Sequence, residues 1–121
     1  MKRPAKSHGG RARTVRARQP AATWIPALAR LLGAGRLSQE RDVLDAHAGD
    51  AWFAACRPEA VVFAESARDV AATLGFACRR GIPVTARGAG RGYVGGCVPS
   101  RRGIVISTAR MNRILEIHPA D

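Results

Sequence analysis

An α/β (α+β) fold, built on one β-α-β unit with further strands beside it, is predicted by three features of the chain. Apolar, β-branched runs at 60–64 and 82–86 are joined by a capped segment of helical period. A third such run follows at 103–107. Between the second and third lies P-V-T-A-R-G-A-G-R-G-Y-V-G-G-C-V-P at 83–99, whose five glycines and two prolines cannot sustain a helix. Short strand-type runs alternating with a helix give a small layered domain whose crossover-linked strands run parallel.

Composition sets the bounds. A chain of 121 residues makes one domain with a modest core, and 46% apolar content with mixed charges fits a globular class. Aromatic residues are 5%, so that core rests on Ala, Val, Leu and Ile. No apolar run approaches the ~20 residues of a membrane helix. The net charge of +11 is unevenly placed: residues 1–20 hold seven Lys or Arg and no acid, leaving 13 basic and 9 acidic residues, a net of +4, for the rest. Three cysteines, Cys56, Cys78 and Cys97, form no C-x-x-C pair and are odd in number. They read as small packing residues in a reducing, cytoplasmic compartment.

In chain order, residues 1–20 lack apolar periodicity and repel one another, so a disordered basic arm is expected. It reads as a solubilising tail, an upstream start read into protein, a transit peptide, or an arm for nucleic acid or another acidic surface. Residues 21–56 read as a helical lead-in. At 23–32, Trp24, Leu28, Leu31 and Leu32 share one helical face, Pro26 sits near the start where its missing N–H costs little, and Gly33 and Gly35 end the helix. A second helix is expected at 38–46 with Ser38 as cap and Val43 and Leu44 turned inward. Gly49 and Asp50 open an irregular link, in which Trp52 and Phe53 are read as wedges between helix and sheet.

The unit from residue 57 onward is the most legible. After the strand at 60–64, Ser66 and Asp69 form a capping-box variant, and Val70, Leu74 and Ala77 or Cys78 mark the buried stripe. Arg79 and Arg80 suit the last turn, and Gly81 the left-handed position that closes it. Strands follow at 82–86 and 103–107, then a turn at 108–113 and a fourth strand at 114–117.

The glycine stretch carries the chemistry. Glycine admits positive φ and lets successive N–H groups converge, a concavity suited to phosphate with Arg87 and Arg91 at its rim. Gly90-x-Gly92-x-x-Gly95 matches a dinucleotide fingerprint in letters only, because that motif must open a helix and a strand follows here. The kinase loop fails at Cys97 and for lack of a following helical lobe, and the P-loop pattern is absent. A ligand-free strand connection needs only one or two glycines.

Three stretches identify a resemblance: R-P-E-A-V-V-F-A-E-S-A-R-D-V, G-I-P-V-T-A-R-G-A-G-R-G-Y-V-G-G-C-V-P and R-R-G-I-V-I-S-T-A-R-M-N-R-I-L-E-I. In that order they resemble the first half of the FAD-linked oxidase domain shared by the vanillyl-alcohol oxidase and p-cresol methylhydroxylase group. The resemblance is strongest to the glycolate oxidase and D-lactate dehydrogenase branch. Residues 28–50, with L-L-G and Asp50, are similar to that branch's lead-in. The resemblance implies that residues 57–121 are part of a PCMH-type FAD-binding domain. It also implies that Arg87, Gly88, Ala89, Gly90, Arg91, Gly92, Tyr93, Gly95 and Gly96 wrap the FAD pyrophosphate. For Arg87 it leaves two roles, orienting the loop or diphosphate and capping the preceding strand, of which the second is favoured here.

Two departures qualify it. Arg91 stands where the branch carries Thr or Ser, and where some distant relatives carry a flavin-linking His. His8, His47 and His118 do not match that place, so the FAD is expected to be non-covalent. The substrate domain of the family is absent from the chain, so the expectation is a fragment of a flavin-dependent 2-hydroxy-acid oxidoreductase, inactive alone, with no catalytic residue and no metal site assigned. A separate chain that completes the flavoprotein is a possible partner. The competing function is a small basic nucleic-acid-associated protein using the arm at 1–20.

Overall fold

The computed structural model describes residues 20–119, and the basic arm expected at 1–20 lies outside the described residues except for its last position. Three helices and four strands follow in the order α1 (Ala21–Leu32), β1 (Leu37–Ser38), α2 (Arg41–Ala46), β2 (Ala60–Phe63), α3 (Ala67–Arg80), β3 (Val84–Arg87) and β4 (Ile104–Ser107). The strands form one sheet in the order β1-β2-β4-β3. β2 and β3 each pair in parallel with β4, and β1 pairs antiparallel with β2. The α/β class and the parallel β-α-β unit are therefore present. β4 lies between the two crossover-linked strands, so β2 and β3 are parallel without being neighbours.

β2 and β4 are the centre of the sheet and are buried on both faces, as near-continuous apolar runs should be. On one face Ala60, Val62, Ala64, Ile104 and Ile106 meet Trp24, Ile25, Leu28 and Leu32 of α1 and Phe76 and Ala77 of α3. Val61 and Val105, fully buried, take the alternate positions. The lead-in helix thus contributes to the same core as the later strands.

α3 is held at both ends by local chemistry. The Asp69 N–H donates to Ser66 Oγ at 3.3 Å, and the Glu65 N–H donates to Asp69 Oδ2 at 2.9 Å, a variant of the capping box in which the residue before the cap supplies the second N–H. That backbone hydrogen bond, with the Arg36 guanidinium 3.3 Å away, lowers the Asp69 carboxyl below its ordinary value against the opposing effect of burial. Gly81 closes the helix at φ 66°.

Several sequence expectations are corrected. The buried stripe of α3 is Thr73, Phe76 and Ala77 with Val70 beside it, whereas Leu74 and Cys78 are exposed. Thr73 can enter the core because its hydroxyl donates to Asp69 O at 2.8 Å. In α1, Ile25 is buried in place of Leu31. α2 begins at Arg41, because Ser38 is taken into β1, where Leu37 pairs with Val62, and Val43 and Leu44 are only half-buried. Positive φ at Gly33 and Gly35 turns the chain between α1 and β1. Residues 114–117 form no strand: they pair with none of the four strands, and residues 111–119 run exposed beyond a turn closed by the Met111 N–H to Thr108 O. Strand propensity without a pairing partner makes no strand.

Candidate cofactor-binding site

β3 and β4 are parallel neighbours, so the chain must return from the carboxyl end of one to the amino end of the other. Such a crossover takes a dozen or more residues and is usually a helix. Here residues 88–103 make it as an irregular loop, and the glycines lie at its start, beyond the carboxyl end of β3. This is the edge of an open parallel sheet where ligands bind. β2 and β4 end there too, and so does the start of α3.

The loop has two halves of opposite character. From residue 97 onward its N–H groups are bonded inward. Cys97 donates to Asp50 Oδ2, Val98 to Gly95 O, Ser100 to Val98 O, Arg102 to Pro99 O and Gly103 to Glu59 Oε2. Gly103 stands at φ 74°, and a Cβ there would lie 2.2 Å from Pro83 O, so only glycine fits this crossing. From 88 to 96, by contrast, no backbone N–H has a hydrogen-bond partner among the described residues. A side chain at Gly88 or Gly96 would meet nothing within 4 Å, and both residues are exposed, so the space beside this half of the loop is open.

What holds this free half in shape is the lead-in. Arg87 Nη1 donates to Gly49 O, the Ala51 N–H donates to Gly92 O at 3.0 Å, and the Asp50 carboxylate takes both the Trp52 N–H at 2.8 Å and the Cys97 N–H at 3.4 Å. The Arg87 guanidinium packs against Gly90, where φ is 69° and a Cβ would stand 2.2 Å from Arg87 Nη2. Its side chain therefore orients the loop. The strand-capping role is instead played by its carbonyl, which accepts from the Thr108 N–H at 3.0 Å. Gly95, at φ 74°, leaves room for the Trp52 ring, whose Cδ1 would be 3.2 Å from a Cβ.

Trp52 and Phe53 are thereby drawn to the loop and out of the helix–sheet layer, contrary to the wedge role expected for them. Gly49, Asp50 and Ala51 are positioning residues that sequence reasoning passed over as an irregular link. The available signal was Asp50 itself, since an Asp accepting from the N–H two residues on is an Asx-turn.

The expected site residues are brought together on this one edge. Ala89, Arg91, Tyr93 and Gly96 are exposed, and Arg91 has no hydrogen-bond or ion-pair partner among the described residues. Loop, Arg91 and Arg87 together present hydrogen-bond donors and positive charge to solvent, an arrangement that suits an anion. The Asp50 carboxylate, beside Gly92, is occupied by two N–H groups. Among the described residues no cluster of His, Cys, Asp and Glu could hold a metal ion, and no helix is long and apolar enough to cross a membrane.

The chain belongs to the FAD binding domain family, whose model matches residues 58–121. Over 63 residues it is 40% identical to glycolate oxidase subunit GlcD of Escherichia coli (strain K12), a match covering 52% of this chain and 13% of that protein. It is 43% identical over 63 residues to the D-lactate dehydrogenase of Anaerostipes hadrus, with the same coverage. The matched segment spans about 13% of the length of these relatives. Among solved structures, p-cresol methylhydroxylase with substrate bound superposes with a TM-score of 0.68 at 25% identity, covering 79% of this chain and 20% of that one. Alkyldihydroxyacetonephosphate synthase superposes with a TM-score of 0.73 at 17% identity, covering 84% and 23%, a likeness of fold alone. The resemblance drawn from the three sequence stretches is thus the family of this chain.

Proposed function

We propose that this chain carries the diphosphate cradle of a FAD-dependent oxidoreductase acting on a 2-hydroxy acid such as glycolate or D-lactate. The observation that carries the cradle is the run of unpaired N–H groups over 88–96, in a chain whose family binds FAD. Gly88, Ala89, Gly90, Arg91, Gly92, Tyr93, Gly95 and Gly96 supply the amides, Arg91 adds a guanidinium able to pair with a phosphate oxygen, and Arg87 holds the loop open. FAD, when bound, accepts the electrons removed from the hydroxy acid. The substrate class rests on the names of the relatives.

The same reading divides the chain into a basic arm (1–20), a lead-in (21–56) that clasps the loop, and the flavin-binding part (57–121). It takes the cofactor to be non-covalent. Arg91 offers no nucleophile to the flavin, His47 is engaged with Val43 O and His118 with Glu116. The apolar side chains of Tyr93, Val94, Ile114, Leu115 and Ile117 are each at least 72% exposed, which supports further polypeptide, in the same or a separate chain, packing on them. The unpaired thiols of Cys56, Cys78 and Cys97 support a reducing compartment such as the cytoplasm.

Calorimetric titration of the full chain with inorganic pyrophosphate and with FAD tests the cradle. Saturable binding of both, weakened by Gly88→Ala and by Arg91→Ala with the fold intact, is the expected result. Binding indifferent to both substitutions would place the anion elsewhere. Release of any flavin on acid precipitation checks the non-covalent attachment.

A further inference from the structure

Trp52 and Phe53 are the feature that the cradle does not use. Their rings pack on one another, with centroids 4.5 Å apart and planes at 37°. Trp52 is 44% exposed and Phe53 87% exposed. Two large aromatic side chains standing in water would ordinarily mark a slack segment, yet this one is fastened to the loop. Asp50 takes the Trp52 N–H, Ala51 bonds Gly92 O, and the Trp52 ring abuts Gly95. The aromatic pair is therefore held at the rim of the unpaired amides.

We propose that Trp52 and Phe53 form a stacking shelf for a planar heteroaromatic ring carried on the phosphate bound by the glycine loop. This rests on the cradle reading above and adds to it the other half of the ligand. A nucleotide joins an anion to a flat π-surface, and here hydrogen-bond donors for the one adjoin an exposed aromatic face for the other. Stacking on an aromatic side chain tolerates any such ring, so the shelf takes either the adenine or the flavin end of a dinucleotide. A covering polypeptide or a second copy of the chain are the rival occupants.

The full chain has two tryptophans, and Trp24 is 1% exposed, so a change in emission on binding ADP reports Trp52. FMN also takes energy from a buried tryptophan, so for it the comparison with Trp52→Phe isolates the Trp52 share. Affinities of ADP against pyrophosphate, and of FMN against inorganic phosphate, isolate the contribution of the ring. At least one nucleotide should bind about tenfold more tightly than its phosphate and quench Trp52. Trp52→Leu should erase that advantage and Trp52→Phe should keep it, with the inorganic affinities unchanged. ADP alone responding identifies the adenine end, and FMN alone the flavin end. Should Trp52→Leu fold poorly, Phe53→Leu, read by Trp52 emission, must show the same loss.

Nucleotides binding no better than their phosphates, with no quenching, would overturn the shelf and leave the cradle standing. Pyrophosphate failing to bind would overturn both. Emission that shifts with protein concentration and not with nucleotide would assign the rings to a second copy of the chain.

Discussion

The central strands and the glycine loop are opposite in physics, although the loop runs directly into β4. In β2 and β4 nearly every residue is buried and every neighbour is fixed by a ladder partner, Ala60 with Ile104 through Phe63 with Ser107. From 88 to 96 most residues are exposed and no N–H is paired among the described residues, yet the backbone is pinned by Gly49, Asp50 and Ala51 from outside. A core gains its stability by satisfying its own groups. A binding loop must leave groups unsatisfied and borrow its rigidity from neighbours. Substitutions should therefore divide cleanly between those that cost stability and those that cost ligand.

The largest loss of stability is expected at the strands. Ile104→Ala removes a fully buried side chain between the helices and the sheet, and should cost about 2–5 kcal/mol in denaturant unfolding without specific effect on the loop. Next comes Gly103→Ala, which forces a side chain against Pro83 O at positive φ and should cost about 3 kcal/mol, read as a fall in melting temperature. Gly90→Ala lies on the border between the two regions. Its Cβ displaces the Arg87 guanidinium from Gly90, so a stability loss of about 1–2 kcal/mol should accompany a disproportionate loss of pyrophosphate binding.

A smaller and pH-dependent effect belongs to Asp69. Its pKa is lowered in the folded chain, so the stability it contributes is present above the unfolded value of about 3.9 and is lost as pH falls through the lower folded value. Asp69→Asn should lower the melting temperature at neutral pH and flatten the acid limb of the profile. Equal losses at pH 7 and pH 2 would refute that linkage. Gly88→Ala is the smallest for stability, within about 0.5 kcal/mol, because no atom stands within 4 Å of the new Cβ. It is also the sharpest contrast: under the cradle reading its pyrophosphate affinity falls while its melting curve stays in place.

How far these regions were legible in the sequence follows the range of the interactions involved. Ser66, Asp69 and Gly81 were readable because a cap is made within a few residues of itself. The strand runs at 60–64 and 103–107 were readable because burial on both faces leaves no polar position in them. Helical spacing puts Leu31 and Leu74 on the buried faces, but Ile25 and Thr73 take those places once the helices are set against the sheet. The expected strand at 114–117 fails for a similar reason, since strand propensity cannot by itself bring the segment against a sheet edge.

For the site, the sequence by itself determined which residues form the loop and, through its motif order, the family to which the chain belongs. A helix after the glycines was excluded by Pro99 and the strand that follows. Only the tertiary structure decided which amides stay unpaired, that Arg87 turns to Gly49, and that Asp50 and Trp52 are brought to the loop. Those contacts join residues about 40 positions apart, and no local pattern records them. A glycine loop by itself has many conformations of similar energy. The one it adopts is selected by the carbonyl, the carboxylate and the N–H that the lead-in sets against it.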